Sequence, residues 1–481
     1  MSSSTEKFIG RSKELGLLAN LANQKKSSLV VIRGRRRVGK SRLAKEFSKD
    51  KFFLSFSGLA PNEGMTAQHQ RDHFVEQLLS QVTVVRPVAS DWYSLFLVLA
   101  QQLATKKNKV LLLDEISWMS TGDPTFLPKL KSIWDDYLSQ QPNLVLILCG
   151  SVSSWIDTNI LSSTDFFGRI TETITLDELS LPESIELLST RGFTGSVFEK
   201  MMTLSITGGI PWYIELLAKA SSASSGIMRA CFSKDGVLVR EFERIFNDLF
   251  SRRAEAYAKI IRAVEPGVLS HQEIADKEAY PSSGVLSEYL NDLVLSGFLA
   301  EDQNWSLQTG MPQKLKTYRL KDNYLRFYLR YIEPNLPRIN KNLFEDTPLS
   351  SLKGLPSLMG LQFENLMLHN RRLLYEKLGI HVQDIVFDNP YLQKKTARQS
   401  ACQIDLLIQT RLGVFYLCEM KLTTQTLGID VIDEVKTKVS VLKMPRGTSI
   451  VPVLVYLGEL SEALQESDYF LRTINAREWF C

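Results

Sequence analysis

The sequence predicts an α/β protein of several domains, opening with a parallel sheet that carries helices on both faces. Three observations carry this expectation. Short apolar runs alternate with stretches of helical spacing through about residues 1–180, and such alternation signals parallel strands joined by crossover helices. A second pattern, helix-strand-strand-strand-helix-strand, starts near residue 357. With 481 residues the chain is too long for one core, so two to four domains are expected.

In chain order, residues 28–33, 52–57, 110–114, 144–149 and 170–176 read as strands. Residues 41–49, 67–82, 92–104 and 124–140 read as the intervening helices, which completes a core at 1–180. Residues 181–250 read as a helical lid. At 251–325 a helix over 254–264 is stopped by Pro266-Gly267, and Ser270 and Glu273 form a capping-box pattern that starts a second. A third helix follows Pro281 as far as about Ser296, with strand-like pieces around Phe298 and at 317–320. Three helices and a hairpin suggest a winged helix-turn-helix. Its expected outward positions, Ser287, Glu288, Asn291 and Asp292, include no Arg or Lys for a major groove. Lys314, Lys316, Arg319 and Lys321 on the wing suit phosphates better. DNA contact and structural packing both stay open for this region. The Pro-containing segment 326–356 reads as a linker. The last domain, 357–481, has a helix over 358–378, strands over 380–387, 403–409 and 414–421, a helix over 430–442 and a strand over 449–457.

Composition narrows the class. Hydrophobic residues at 44% and charged residues at 23% are globular values. A net charge of +4 is too small to signal a nucleic-acid partner by itself. Five scattered cysteines (Cys149, Cys231, Cys402, Cys418 and Cys481) and five histidines show no metal-ligand spacing, so reduced core thiols are expected. MSSSTEKFIG has no apolar signal core and no apolar run approaches a bilayer span, so a cytoplasmic protein without a membrane partner is expected.

VIRGRRRVGKSRLAKEF contains Gly34-x4-Gly39-Lys40-Ser41 between an apolar strand and a helix, the context a phosphate loop demands. Glycines let backbone N–H groups turn onto phosphates, and the helix start adds its positive dipole end. Lys40 would reach the β- and γ-phosphates of ATP, and the Ser41 hydroxyl would hold Mg²⁺. Gly34, Arg37, Val38, Gly39, Lys40, Ser41 and Arg42 are the expected ATP contacts. Arg35, Arg36 and Arg37 either add positive potential at the phosphates or form a solvated basic run. Downstream, KVLLLDEISWM carries Asp114 to a strand end, followed by Glu115. Asp114 fits the Mg²⁺-side carboxylate and Glu115 the residue that polarises attacking water.

The stretches FIGRSKEL, LILCGS, FFGRI and GGIPWYI, taken with the loop, resemble the predominantly archaeal-type AAA ATPases, relatives of the signal-transduction ATPases with numerous domains. The resemblance spans about residues 6–220. It implies a P-loop NTPase sheet, with Ser151 as a polar sensor, Arg169 near the γ-phosphate and Pro211 lining the adenine pocket. Ser151 also fits a strand-end turn, Arg169 a surface ion pair, and Pro211 a break between helices.

The C-terminal stretch VFYLCEMK places Glu419 and Lys421 on one face of a strand. A hairpin through Arg411-Leu412-Gly413 sets Asp405 opposite Glu419. Two carboxylates beside a lysine can hold Mg²⁺ and assist an attacking water. The element order around them resembles the restriction-endonuclease-like fold with its PD-(D/E)XK motif, and Glu364 in MGLQFENLMLH matches the early acidic residue of such nucleases. CQIDLLI lacks the Pro of that motif. YRLKDNYLRFYLRYIEPN resembles the connector that accompanies this domain in the archaeal-type family. Together these readings imply ATP and Mg²⁺ as cofactors, DNA as a partner, a homo-oligomer as one arrangement, and an ATPase coupled to a Mg²⁺-dependent nuclease. The alternative is a nucleotide-dependent switch whose degenerate nuclease fold only binds DNA or protein.

Overall fold

The computed structural model describes residues 7–60, 64–151, 153–250, 253–278, 283–345, 347–395, 397 and 399–480. Pro281 and Cys481 lie outside them. The chain forms two compact units: Met1–Leu179 with Glu243–Ala258 and Glu288–Gly297, and Ser180–Phe242 with Lys259–Ser287 and Phe298–Cys481. These units cut across the divisions expected from the sequence at residues 250 and 325.

In the first unit, β1 (Ser28–Arg33), β2 (Phe52–Ser57), β3 (Lys109–Asp114), β4 (Leu144–Gly150) and β5 (Ile170–Thr175) form a parallel sheet in the order β2-β3-β4-β1-β5. Leu29, Val31, Leu111, Leu113, Leu146 and Leu148 are all buried in one core, as strands covered on both faces require. Each such side chain contributes roughly 1.5–3 kcal/mol. Phe74, Trp92, Phe96 and Phe126 pack against it edge to face and stacked. The sheet brings the C-terminal ends of β1, β3 and β4 side by side, which is where an open α/β sheet binds ligands. The same unit corrects one expected outward position: Asp292 is buried and accepts a hydrogen bond from Tyr257. Glu288 is exposed, as expected, and pairs with Arg253 at 2.8 Å.

The second unit starts with helices Leu181–Thr190, Val197–Thr207, Pro211–Leu217 and Ala223–Cys231. Ser180 and Glu183 cap the first reciprocally, and Ser196 and Glu199 the second. Strands β6 (Leu269–Ser270), β7 (Leu299–Trp305) and β8 (Pro312–Leu320) form an antiparallel sheet ordered β6-β8-β7. The expected linker is instead folded. Phe327, Tyr328, Ile332, Ile339 and Phe344 are buried, because helical turns carry its apolar residues inward.

The C-terminal sheet runs β13-β12-β11-β10-β9, from β9 (Ile385–Gln393), β10 (Cys402–Thr410), β11 (Val414–Leu427), β12 (Ser449–Leu460) and β13 (Arg472–Asn475). β9, β10 and β11 pair antiparallel, while β11, β12 and β13 pair parallel. The expected strand at 380–387 lies later. Gly379, at φ 67°, ends the helix Arg371–Leu378, and a 3-10 turn at Val382–Asp384 delays β9. β9 is an edge strand, so Pro390 is tolerated there. The expected helix over 358–378 is two, Leu355–His369 and Arg371–Leu378, parted at Asn370, whose side chain accepts the N–H of Leu181 at 2.7 Å.

Among the described residues no helix is long and apolar enough to cross a membrane. Cys149, Cys231, Cys402 and Cys418 are free and buried.

Candidate functional site

The loop after β1 needs conformations that most residues avoid. A Cβ on Gly34, at φ +145°, would meet the Leu176 carbonyl oxygen at 2.2 Å, so only glycine passes there. Gly39 at φ +95° and Arg37 at φ 75° complete the turn into the helix Lys40–Phe47. Lys40 is 5% exposed, and its Nζ donates to the carbonyls of Gly34 at 2.8 Å and Arg35 at 3.0 Å, and to Ser151 Oγ at 2.8 Å. Those neutral partners fold the ammonium back over the loop that would cradle an anion.

The sheet supplies the rest. Ser41 Oγ donates to Asp114 Oδ2 at 2.5 Å, joining the start of the helix to the end of β3. Glu115 takes a left-handed φ of 49°, a conformation that costs a non-glycine residue on the order of 1–3 kcal/mol and clusters at functional sites. Its carboxylate accepts the Ser151 hydroxyl at 2.8 Å and the Ser151 N–H at 3.2 Å. Lys40, Ser151 and Glu115 thus form one hydrogen-bonded chain across β1, β4 and β3. A hydroxyl beside a carboxylate, Ser41 with Asp114, is the oxygen donor set that suits Mg²⁺.

Other predicted positions fall elsewhere. Arg169 forks onto Asp135 at 2.7 and 2.8 Å and holds that carboxyl below its usual range. Arg36 pairs with Asp248, and Arg35 lies 3.7 Å from Glu178. Val38 is buried, and Arg42 is half-buried in the first turn of the helix. Pro211 opens the helix Pro211–Leu217 in the second unit, at a position where its missing N–H costs nothing. Sequence reasoning missed Arg11. Its guanidinium donates to the carbonyls of Val38 at 3.2 Å and Asp177 at 2.5 Å, tying the phosphate loop to the segment after β5. FIGRSKEL held that residue, but with no spacing rule to mark it.

In the second unit the hairpin has the expected register. Leu406 faces Cys418 and Gln409 faces Phe415, with Gly413 left-handed at φ 73° in the loop. Continuing that ladder by one step places Asp405 beside Glu419. β10 carries a bulge between Ile404 and Leu407, where Asp405 is partly buried. Asp405 Oδ2 accepts the Met420 N–H at 2.8 Å. Glu419 is buried, with Oε1 3.1 Å from Lys421 Nζ and Oε2 2.5 Å from Lys438 Nζ. Lys421 also meets Glu434 at 2.8 Å.

Burial, then the charges of Asp405 and Glu419, raise the Glu364 carboxyl to about 8. Burial, then Glu419, raise Asp405 to about 6. Burial opposes the Lys421 charge, but Glu434 and Glu419 overcome it and hold that ammonium above its ordinary value. Carboxylates that repel one another this way suit a cation, although among the described residues no three of His, Cys, Asp and Glu converge as a metal-binding group. Glu434 and Lys438 were not anticipated. Their i,i+4 spacing on the helix Asp430–Val441 is ordinary for a solvated face.

Residues 8–217 match a family described as an ATPase domain predominantly from Archaea. An uncharacterized protein of Methanocaldococcus jannaschii is 24% identical over 347 residues, covering 70% of this chain and 72% of that protein. A Walker-type ATPase of Pyrococcus abyssi superposes with a TM-score of 0.52 at 19% identity, over 68% of this chain and 97% of that one. The ORC2 protein of Aeropyrum pernix, in ADPNP–ADP complexes, gives a TM-score of 0.42 at 14% identity, over 72% and 98%. Over residues 8–217 the chain is similar to archaeal-type P-loop ATPase domains, and its sheet shares their fold.

Proposed function

We propose that the chain binds and hydrolyses ATP at the phosphate loop, and couples this to metal-dependent cleavage of nucleic acid by its C-terminal α/β domain. The hydrogen-bonded chain Lys40–Ser151–Glu115 beside Ser41–Asp114 carries the ATP half. Lys40 exchanges the loop carbonyls for phosphate oxygens. Ser41 and Asp114 would hold Mg²⁺, which neutralises phosphate charge when bound. Glu115 orients and polarises the attacking water, and Ser151 relates its position to that of Lys40. In this reading Arg169 stays paired with Asp135 and takes no part at the phosphates.

The nuclease half rests on the restriction-endonuclease-like element order and on Glu364, Asp405, Glu419 and Lys421. Asp405 and Glu419 would hold the metal, Glu364 adds negative charge beside them, and Lys421 orients a water. DNA is the proposed partner, with the β6–β8 region packing the connector or meeting DNA. One observation favours a second reading, a switch with a degenerate C-terminal domain: both oxygens of Glu419 are already engaged by lysines.

Cleavage of plasmid and linear DNA in Mg²⁺ or Mn²⁺, with and without ATP, separates the two. Cleavage that Lys421→Ala abolishes establishes the nuclease, and its loss in Lys40→Ala establishes coupling. Intact ATP turnover without cleavage establishes the switch.

A further inference from the structure

Arg319, Arg326 and Arg330 line one cavity together with Glu364 and Asp405, a space of about 310 Å³ within the second unit. Arg319 comes from β8, and Arg326 and Arg330 from the helical segment that follows it. The protein anchors each guanidinium by part of its fork. Arg330 Nε donates to Glu265 at 2.6 Å. Arg319 donates through Nε to Asp302 at 2.6 Å and through Nη1 to Asn365 at 2.7 Å. Arg326 donates to Gln362 at 2.6 Å and to the Leu320 carbonyl. A guanidinium carries five N–H donors in a planar fork, so fixing some of them aims the others. Burial, then the charge of Arg319, push Arg326 down to about 10, with Arg330 adding to the crowding and Glu265 and Asp322 opposing it. An incoming anion relieves that crowding.

We infer that this arginine wall receives the phosphates of a single nucleic-acid strand beside the carboxylates Glu364 and Asp405. The inference rests on the nucleic-acid reading of the C-terminal domain and adds its substrate class. Arginine is the residue that grips phosphate in two-pronged fashion. The cavity sits at the low end of small-ligand pockets, roughly 300–1,000 Å³. That is room for one nucleotide of an extended strand and not for a duplex, whose major groove alone is about 12 Å wide.

The test is fluorescence anisotropy of labelled oligothymidylate with the full chain in EDTA, with a blunt duplex of equal length as competitor, over a salt series. Wild type is expected to prefer the single strand. Arg330→Gln and Arg319→Gln are each expected to weaken binding about tenfold and to lower the slope of log K against log salt by about 0.7. Arg330→Lys, which keeps the charge, is expected to keep the slope. A thermal melt checks folding; if Arg330→Gln melts early, Arg319→Gln and Arg330→Lys decide. Tighter binding to duplex, equal competition by polyglutamate, or unchanged slopes in both glutamine variants overturns the inference. Plasmid cleavage by the same proteins keeps the two claims apart. Arginine-dependent strand binding without cleavage overturns only the nuclease, and cleavage with arginine-independent binding overturns only the wall.

Discussion

The phosphate loop and the C-terminal carboxylate cluster both sit on strands, yet they hold charge in opposite ways. Lys40 is met by two carbonyls and a hydroxyl, and Asp114 by a hydroxyl. Neutral partners of this kind are readily exchanged for phosphate oxygens. Glu419 is met by two ammonium groups, while Glu364 and Asp405 stay crowded by acids. The first site is assembled to receive an anion. On the proposed reading the second stores repulsion that a cation would relieve, once its lysines are reordered.

The largest effect expected is at the loop. Glu115→Gln should lower phosphate release about 10²–10⁴-fold while nucleotide still binds, and Lys40→Ala should lose binding itself. Retained hydrolysis in Glu115→Gln would end the contrast between a finished site and an unfinished one. At the second site Mg²⁺ or Mn²⁺ should raise the melting temperature, equivalent to about 2.7 kcal/mol at a hundredfold excess over Kd. Asp405→Asn should erase that response.

A smaller effect follows from Glu364. Its carboxyl titrates near 8 when folded and near its ordinary 4.5 when unfolded. The folded state therefore holds an extra proton between those values, and stability falls as pH rises from about 4.5 to about 8. Glu364→Gln should flatten that slope and leave the protein more stable than wild type at pH 8, measured by denaturant melts at pH 5 and 8.

The smallest effect belongs to Arg169. Arg169→Ala should cost under about 1 kcal/mol for its partly exposed ion pair with Asp135, and leave ATP turnover unchanged. A fall of about 10³-fold or more in turnover would move Arg169 from the surface to the phosphates.

Legibility tracked distance along the chain. The phosphate loop was readable because Gly34, Gly39, Lys40 and Ser41 act through the backbone of one turn. The Asp405–Glu419 register was readable because a three-residue loop ending in Gly413 fixes strand pairing. β13 was missed as a strand of four residues, and the segment 326–356 was misread because its prolines sit in short helical turns that still bury Ile339 and Phe344.

The sequence alone therefore determined the parallel sheet, the loop that turns on Gly34, and the strand face shared by Glu419 and Lys421, all set by local periodicity and backbone sterics. Tertiary structure alone decided that Arg11 braces the loop, that Arg169 rests on Asp135, that Lys438 reaches Glu419, and that three arginines line one cavity with Glu364 and Asp405. Those are polar contacts and shared cavities between elements far apart in the chain. Coulomb attraction acts on spatial separation, which a linear pattern does not encode.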